Sequence, residues 1–300
     1  MKTINIISIA FLLFFAGSQS LFAQPVDRTG ILHPKGLLWK IEKPGMSPVY
    51  LYGTMHVSDA DVIRLPAPAE KAFLNADHFV MEMLLNFKAV GYVTRASFFD
   101  DGRTLKQLMG NVDYQKLASL ANKRLFLPES ALRHMKPWAV LVLLLMPVED
   151  QAQGGAVLDM VLYRRAVQHN IPVMGLETPQ EQVSVFDSMA MDEQLWLLNR
   201  AVREIKVTDR QMPEMLRAYL AQDLAQLVAL QQQFMYDDSQ IDDRFMHQLL
   251  DVRNIRMVKR LQPILEKGNA FIAIGALHLP TRVGVLHLLE QQGYRVSPVY

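Results

Sequence analysis

The chain contains no cysteine. That excludes disulfides, thiolate metal sites, a cysteine nucleophile and attachment of a lipoprotein anchor, so the fold must be held by its core alone. Charge of one sign is missing too, with 31 Lys and Arg against 30 Asp and Glu. Nucleic acid is therefore not expected as a partner, because a phosphate backbone needs a basic surface to neutralise it. No low-complexity linker and no internal repeat interrupt the sequence. The longest internal apolar run, Trp138 to Met146, is bracketed by Pro137 and Pro147 and is far too short to cross a bilayer. It reads as a buried core helix.

Half of the 300 residues are hydrophobic, enough for a substantial core, and disorder is not expected. Residues 1–23 read as a secretory signal peptide: Lys2 precedes the apolar run Ile6 to Ala16, small and polar residues follow, and Ala23-Gln24 is the candidate cleavage point. Residues 24–300 are expected as a single α/β domain, periplasmic or secreted, with no stable membrane span once the signal is removed. Its oligomeric state is left open.

Strands and helices alternate along this domain. Leu37 to Glu42 and Val49 to Gly53 flank the turn residues Lys43 to Pro48 and predict a β-hairpin. Pro66 to Asn75 reads as helix, His78 to Glu82 as buried strand and Thr104 to Lys123 as one helix. Gly155 to Asn170 is helical and leads into the strand Ile171 to Glu177, a βαβ-like step. A largely helical insertion covers about 190–267. The strand Ala270 to Gly275, the helix Val283 to Gln292 and the strand Tyr294 to Val299 close the chain. The fold class is α/β, a mixed sheet with flanking helices.

Two segments near opposite ends share one form, an apolar strand followed by Gly-x-x-His: Val49-Tyr-Leu-Tyr-Gly53-Thr-Met-His56 and Ala270-Phe-Ile-Ala-Ile-Gly275-Ala-Leu-His278. The spacing alone carries little, since it recurs from Gly30 to His33 and from Gly284 to His287 among only eight histidines. The strand context separates the useful pair. Open α/β sheets bind ligands beyond the carboxyl ends of their strands, where Glu82 and Glu177 are also placed. Two imidazoles with one or two carboxylates form a donor set suited to Mn²⁺, Co²⁺, Fe²⁺ or Zn²⁺. Such an ion activates water and polarises a carbonyl, and a nearby carboxylate can accept the proton, so hydrolysis is the natural chemistry. Taken singly, each glutamate has an alternative as a salt-bridge partner or a helix N-terminal charge.

Leu51-Tyr-Gly-Thr-Met-His-Val57, Val80-Met-Glu82, Gly175-Leu-Glu-Thr178, Arg253-Asn254 with Met257, and Ala273-Ile-Gly-Ala-Leu-His-Leu279 together resemble the ordered landmarks of the TraB/PrgY/GumN family, related to the Tiki metalloproteases. The resemblance runs from about Gly36 to the C-terminus. It implies a metal-dependent site with His56 and His278 as ligands and Glu82 as ligand or general base. Glu177 is the next candidate, and Arg253 and Asn254 orient the glutamates or stabilise an oxyanion, with a buried structural role for Arg253 as the alternative. The favoured ions are Mn²⁺ or Co²⁺, with Zn²⁺ also chemically suitable, and the implied partner is a peptide or protein substrate. The family also holds members without a defined reaction. A non-enzymatic peptide- or glycan-binding protein using the same cleft is therefore the main alternative, and a haem- or iron-handling protein a third.

One departure from the family pattern follows the second histidine, where His278-Leu-Pro-Thr281-Arg-Val-Gly284 keeps only the later of two glycines. Thr281 is expected to cap the next helix, as is Ser58 after His56. Ser58-Asp59 beside His56 does not make a serine hydrolase, because no Gly-x-Ser-x-Gly elbow exists. The remaining histidines read as surface or core residues, and the 17 scattered methionines as core filling.

Overall fold

A computed structural model describes residues 30–146, 156–235 and 240–300. The expected signal peptide, Pro147 and Gly155 lie outside the described residues. Six strands, β1 (Leu38–Glu42), β2 (Val49–Thr54), β3 (His78–Met83), β4 (Val173–Glu177), β5 (Ala270–Gly275) and β6 (Arg295–Pro298), form one sheet in the order β4-β3-β5-β2-β1-β6. Strands β4, β3, β5 and β2 run parallel, while β1 lies antiparallel to both β2 and β6. The sheet is mixed and the fold is α/β. Its four parallel strands all end at one edge, which gathers the residues just past their carboxyl ends.

Between β2 and β4 lie α1 (Ala67–Leu74), α2 (Phe87–Ala96), α3 (Leu105–Met109), α4 (Asn111–Leu125), α5 (Glu129–Leu132), α6 (Pro137–Leu145) and α7 (Leu158–Gln168). Between β4 and β5 the described chain is helical: α8 (Pro179–Asp187), α9 (Met191–Leu220), α10 (Leu224–Met235), α11 (Gln240–Met246), a π turn at His247–Asp251, and α12 (Val252–Lys267). Helix α13 (Val285–Gln291) carries the chain from β5 across to β6. No helix among the described residues is long and apolar enough to cross a membrane.

The hairpin, the buried α6 and the strands match the sequence pattern within a residue or two. One helix does not. Thr104 to Lys123 divides into α3 and α4 at Gly110, whose φ of 76° leaves the helical region. Thr104 and Gln107 form a capping box on the short α3, so the break begins a second helix rather than distorting the first.

The core is continuous across the sheet. Phe73, Phe79 and Phe271 meet edge-on or tilted, and Tyr52 stacks on Phe271. The fully apolar α6 packs along α9, with Trp138 stacked on Phe186. The first set packs α1 onto the sheet, and the second packs the helical half on itself.

Candidate metal centre

Strands β2 and β5 are neighbours, with Gly53 opposite Ile274 and Thr54 opposite Gly275. Their two Gly-x-x-His segments therefore leave the sheet side by side. His56, Glu82 and His278 line one pocket of about 80 Å³, together with Arg253 and Thr54. Glycine is required at this junction. A Cβ on Gly53 would stand 2.9 Å from Leu279 Cδ1 and 3.1 Å from Ala276 Cα, and one on Gly275 would stand 3.3 Å from Glu82 Oε1.

Each imidazole has a polar side chain close to its Nδ1. His278 Nδ1 lies 2.6 Å from Asn254 Oδ1, and the Asn254 amide nitrogen donates to the Val283 carbonyl at 2.9 Å. That second bond fixes which way the amide faces, so His278 Nδ1 carries the proton and Nε2 is left with its lone pair. Burial, then the Arg253 charge, pull the His278 pKa down to about 3, and the ring is neutral at any working pH. His56 Nδ1 lies 3.0 Å from Asp159 Oδ2. Burial depresses its pKa most, but the Asp159 charge and hydrogen bond, with Glu82 behind them, outweigh burial and raise it. Thr54 Oγ1 donates to the other Asp159 oxygen at 3.3 Å, steadying the carboxylate that steadies the histidine.

The carboxylates are tied by arginine. Arg253 Nη2 donates to Glu82 Oε2 and to Glu177 Oε2, both at 2.6 Å, and its Nε donates to Glu177 Oε2 at 2.9 Å. Glu82 Oε1 also accepts the Gly275 N–H at 2.7 Å. Burial pushes the Glu82 pKa up, but Arg253, His278, His56 and this N–H together hold it well below the usual carboxylate range. Glu177 is sealed from solvent and receives a further bond from Arg256 at 3.0 Å. Gln182 donates to both glutamates, at 3.4 and 3.3 Å.

The structure thus brings His56, Glu82 and His278 to one pocket. Glu177 stands behind Arg253, and Asn254 sits behind His278. Two expected caps are corrected. No helix follows Ser58, since the chain turns at Asp59 and the next helix opens at Ala67 after Pro66. Helix α13 is preceded by Gly284 with no side-chain cap, and Thr281 instead bridges to Ile31. The glycine kept after His278 has a steric reason: a Cβ on Gly284 would lie 2.3 Å from the Leu279 carbonyl oxygen.

Sequence reasoning missed Asp159, Gln182, Arg256 and Arg260. Arg253, Arg256 and Arg260 recur at helical spacing on α12 and reach Glu177, Glu181 and the Leu176 carbonyl, a basic stripe that was readable. Asp159 carries no comparable signal, being one acidic residue in a first helical turn.

The donor chemistry fits a divalent ion: two imidazoles, each with an oxygen beside its outer nitrogen, and an ionised carboxylate. Among the described residues, however, no three or more His, Asp or Glu side chains are gathered as a ready cage. Glu82 is drawn onto Arg253, and its Oε1 lies 3.7 Å from His278 Nε2.

Known proteins are similar to this chain along most of its length. Metalloprotease TIKI1 of Danio rerio is 24% identical over 309 residues, covering 87% of this chain and 62% of that protein. Metalloprotease TIKI2 of the same fish is 22% identical, covering 87% and 60%. The Metalloprotease TIKI homolog of Nematostella vectensis is 21% identical, covering 91% and 69%. The chain spans about three fifths of the length of the two fish proteins. The family model described as TraB/PrgY/gumN matches residues 37–298, nearly the whole described fold, and the chain belongs to that family.

Proposed function

We propose that this protein is a divalent-metal-dependent hydrolase acting on peptides, periplasmic or secreted, with His56, Glu82 and His278 as the ion's ligands. The observation that carries the reading is the convergence of two strand-end histidines and one ionised glutamate in a single pocket. The names of the similar proteins add support, since each is a metalloprotease. A bound Mn²⁺, Co²⁺ or Zn²⁺ would supply a more acidic water and a polarised carbonyl.

The chain's own residues divide the remaining work. Glu82, held anionic by Arg253, suits a cation's ligand better than a proton acceptor, because a strongly depressed pKa makes a weak base. Glu177 does not reach the pocket and acts through Arg253 as a positioning residue. Asn254 positions His278, and Asp159 positions His56. The burial of Arg253, Glu82 and Glu177 keeps bulk water away from these charges and strengthens their interaction.

The engagement of Glu82 by Arg253 favours a second reading, in which the cleft binds a peptide or glycan without cleaving it. Calorimetry tests the first step. Mn²⁺, Co²⁺ or Zn²⁺ should bind with one-to-one stoichiometry, and His56→Ala or His278→Ala should abolish binding; retained binding in both variants removes the metal reading. A peptide-library digest with and without chelator separates the two functions, since only a metallopeptidase gives chelator-sensitive fragments.

A further inference from the structure

The pocket has two walls of different chemistry. Its sheet side carries the polar groups of Thr54, His56, Glu82 and His278 among the apolar Met55, Ala276 and Leu277. Its helical side is built from Met215 and Tyr219 of α9, Leu227 of α10, and Leu249 and Leu250 of the π turn. The only side-chain oxygen or nitrogen among these five residues, the Tyr219 hydroxyl, donates to the Gly53 carbonyl at 2.8 Å, so the residue offers its ring. Arg253, between the walls, is committed to Glu82 and Glu177.

We propose that this helical wall is a specificity subsite that takes one aliphatic side chain of a peptide, next to the amide presented to Glu82 and the two histidines. The proposal rests on the peptidase reading and adds the substrate's side-chain class. Each methylene moved from water onto this wall adds to the binding free energy. An acidic or basic side chain placed there would lose its hydration with no opposite charge to meet it. The π turn is the local device. By adding a residue to the helical turn it sets Leu249 and Leu250 together on the pocket while the following Arg253 stays on the carboxylates, its Nη1 donating to the Leu249 carbonyl at 3.3 Å.

The test is a digest of an unbiased peptide library by the metal-loaded protein, read by mass spectrometry. Leu, Ile, Val or Met should be enriched at one position flanking the cleaved bond. Changing that residue to Ala in a single peptide should lower kcat/KM by at least about 10-fold. Leu250 is only half-buried and can be varied with little cost to the core. Leu250→Lys should move the preference toward Asp and Glu, and Leu250→Phe should narrow the wall and move it toward Ala. Fragments without side-chain preference, or a preference unchanged in both variants, overturn the subsite.

Calorimetry of the same protein with a leucine-containing peptide and its aspartate counterpart separates this inference from the catalytic one. Selective binding without fragments sustains the subsite and removes only the hydrolase reading. Equal binding of the two peptides, or no binding of either, removes the subsite.

Discussion

Replacing Arg253 with Met keeps the length of the side chain and removes the one cation shared by Glu82 and Glu177. The arginine side chain is 3% exposed, Glu82 9% and Glu177 0%. Removing one partner of a buried ion pair costs about 3–5 kcal/mol, because the other charge is left buried. The loss falls mainly on Glu82, since Glu177 keeps Arg256 at 3.0 Å.

The pH dependence follows from the sign of the shift. In the wild type the Glu82 pKa is depressed below its ordinary 4.5, so its stabilising contribution is present above that value and fades as pH falls. Without Arg253, burial is the largest influence left and the pKa moves upward. The stability gap between the two proteins should then be widest near pH 7–8, narrow as pH falls through the raised Glu82 pKa of the variant, and close only as pH falls through the depressed Glu82 pKa of the wild type. For a domain near this size, 3–5 kcal/mol corresponds to roughly 6–20 °C in Tm. Calorimetric melts at pH 8, 6 and 4 in chelator measure it. A gap below about 1 kcal/mol, or one that does not change with pH, would show that Arg253 does not hold the glutamates electrostatically.

Asp159→Ala removes the carboxylate 3.0 Å from His56 Nδ1, so metal affinity should fall about 10- to 100-fold; an unchanged affinity by titration calorimetry would detach Asp159 from the centre. Because His56 is held above its ordinary 6.5 while His278 is lowered to about 3, an incoming ion has one histidine proton to displace. Apparent affinity should rise about tenfold per pH unit below the His56 pKa and level off above it; a twofold steeper slope would mean that both rings are protonated. Gly53→Ala drives a Cβ to 3.1 Å from the Ala276 Cα and must displace the turn that carries His278. A stability loss of about 1–3 kcal/mol with weakened metal binding is expected, whereas Gly30→Ala, whose Cβ would meet nothing within 4 Å, should leave both unchanged in the same melts and titrations.

Strand ends were legible because two signals coincide there, an apolar β run and a ligand-type residue at or just past its end. His56, Glu82, Glu177 and His278 all follow that rule, and the parallel order β4-β3-β5-β2 turns four separate strand ends into one edge. Local chemistry was less reliable where a residue has several uses. Ser58 and Thr281 are good helix caps in isolation, yet Pro66 and Gly284 occupy the positions before the helices that follow them. Gly110 reads as tolerable inside a helical pattern, but its positive φ divides α3 from α4. Asp159 and Gln182 were invisible for a different reason. Each reaches a partner about a hundred residues away, His56 and Glu82 respectively, and no periodicity records such a pairing.

The four Gly-x-x-His copies show what spacing alone omits. A Cβ would find open space at Gly30 and would strike the Leu279 carbonyl at Gly284, where glycine serves the entry to α13. At Gly53 and Gly275 the obstacle belongs to the other motif or to the site itself: Ala276 and Leu279 face Gly53, and Glu82 with His278 faces Gly275. Gly53 therefore lets the adjacent strand end approach closely enough for both histidines to share a pocket, and Gly275 leaves room for the Glu82 and His278 side chains. A glycine that merely turned the chain would accept alanine wherever its φ is ordinary. One that admits a neighbouring backbone will not, and that steric dependence links the pair of motifs more directly than their likeness in sequence does.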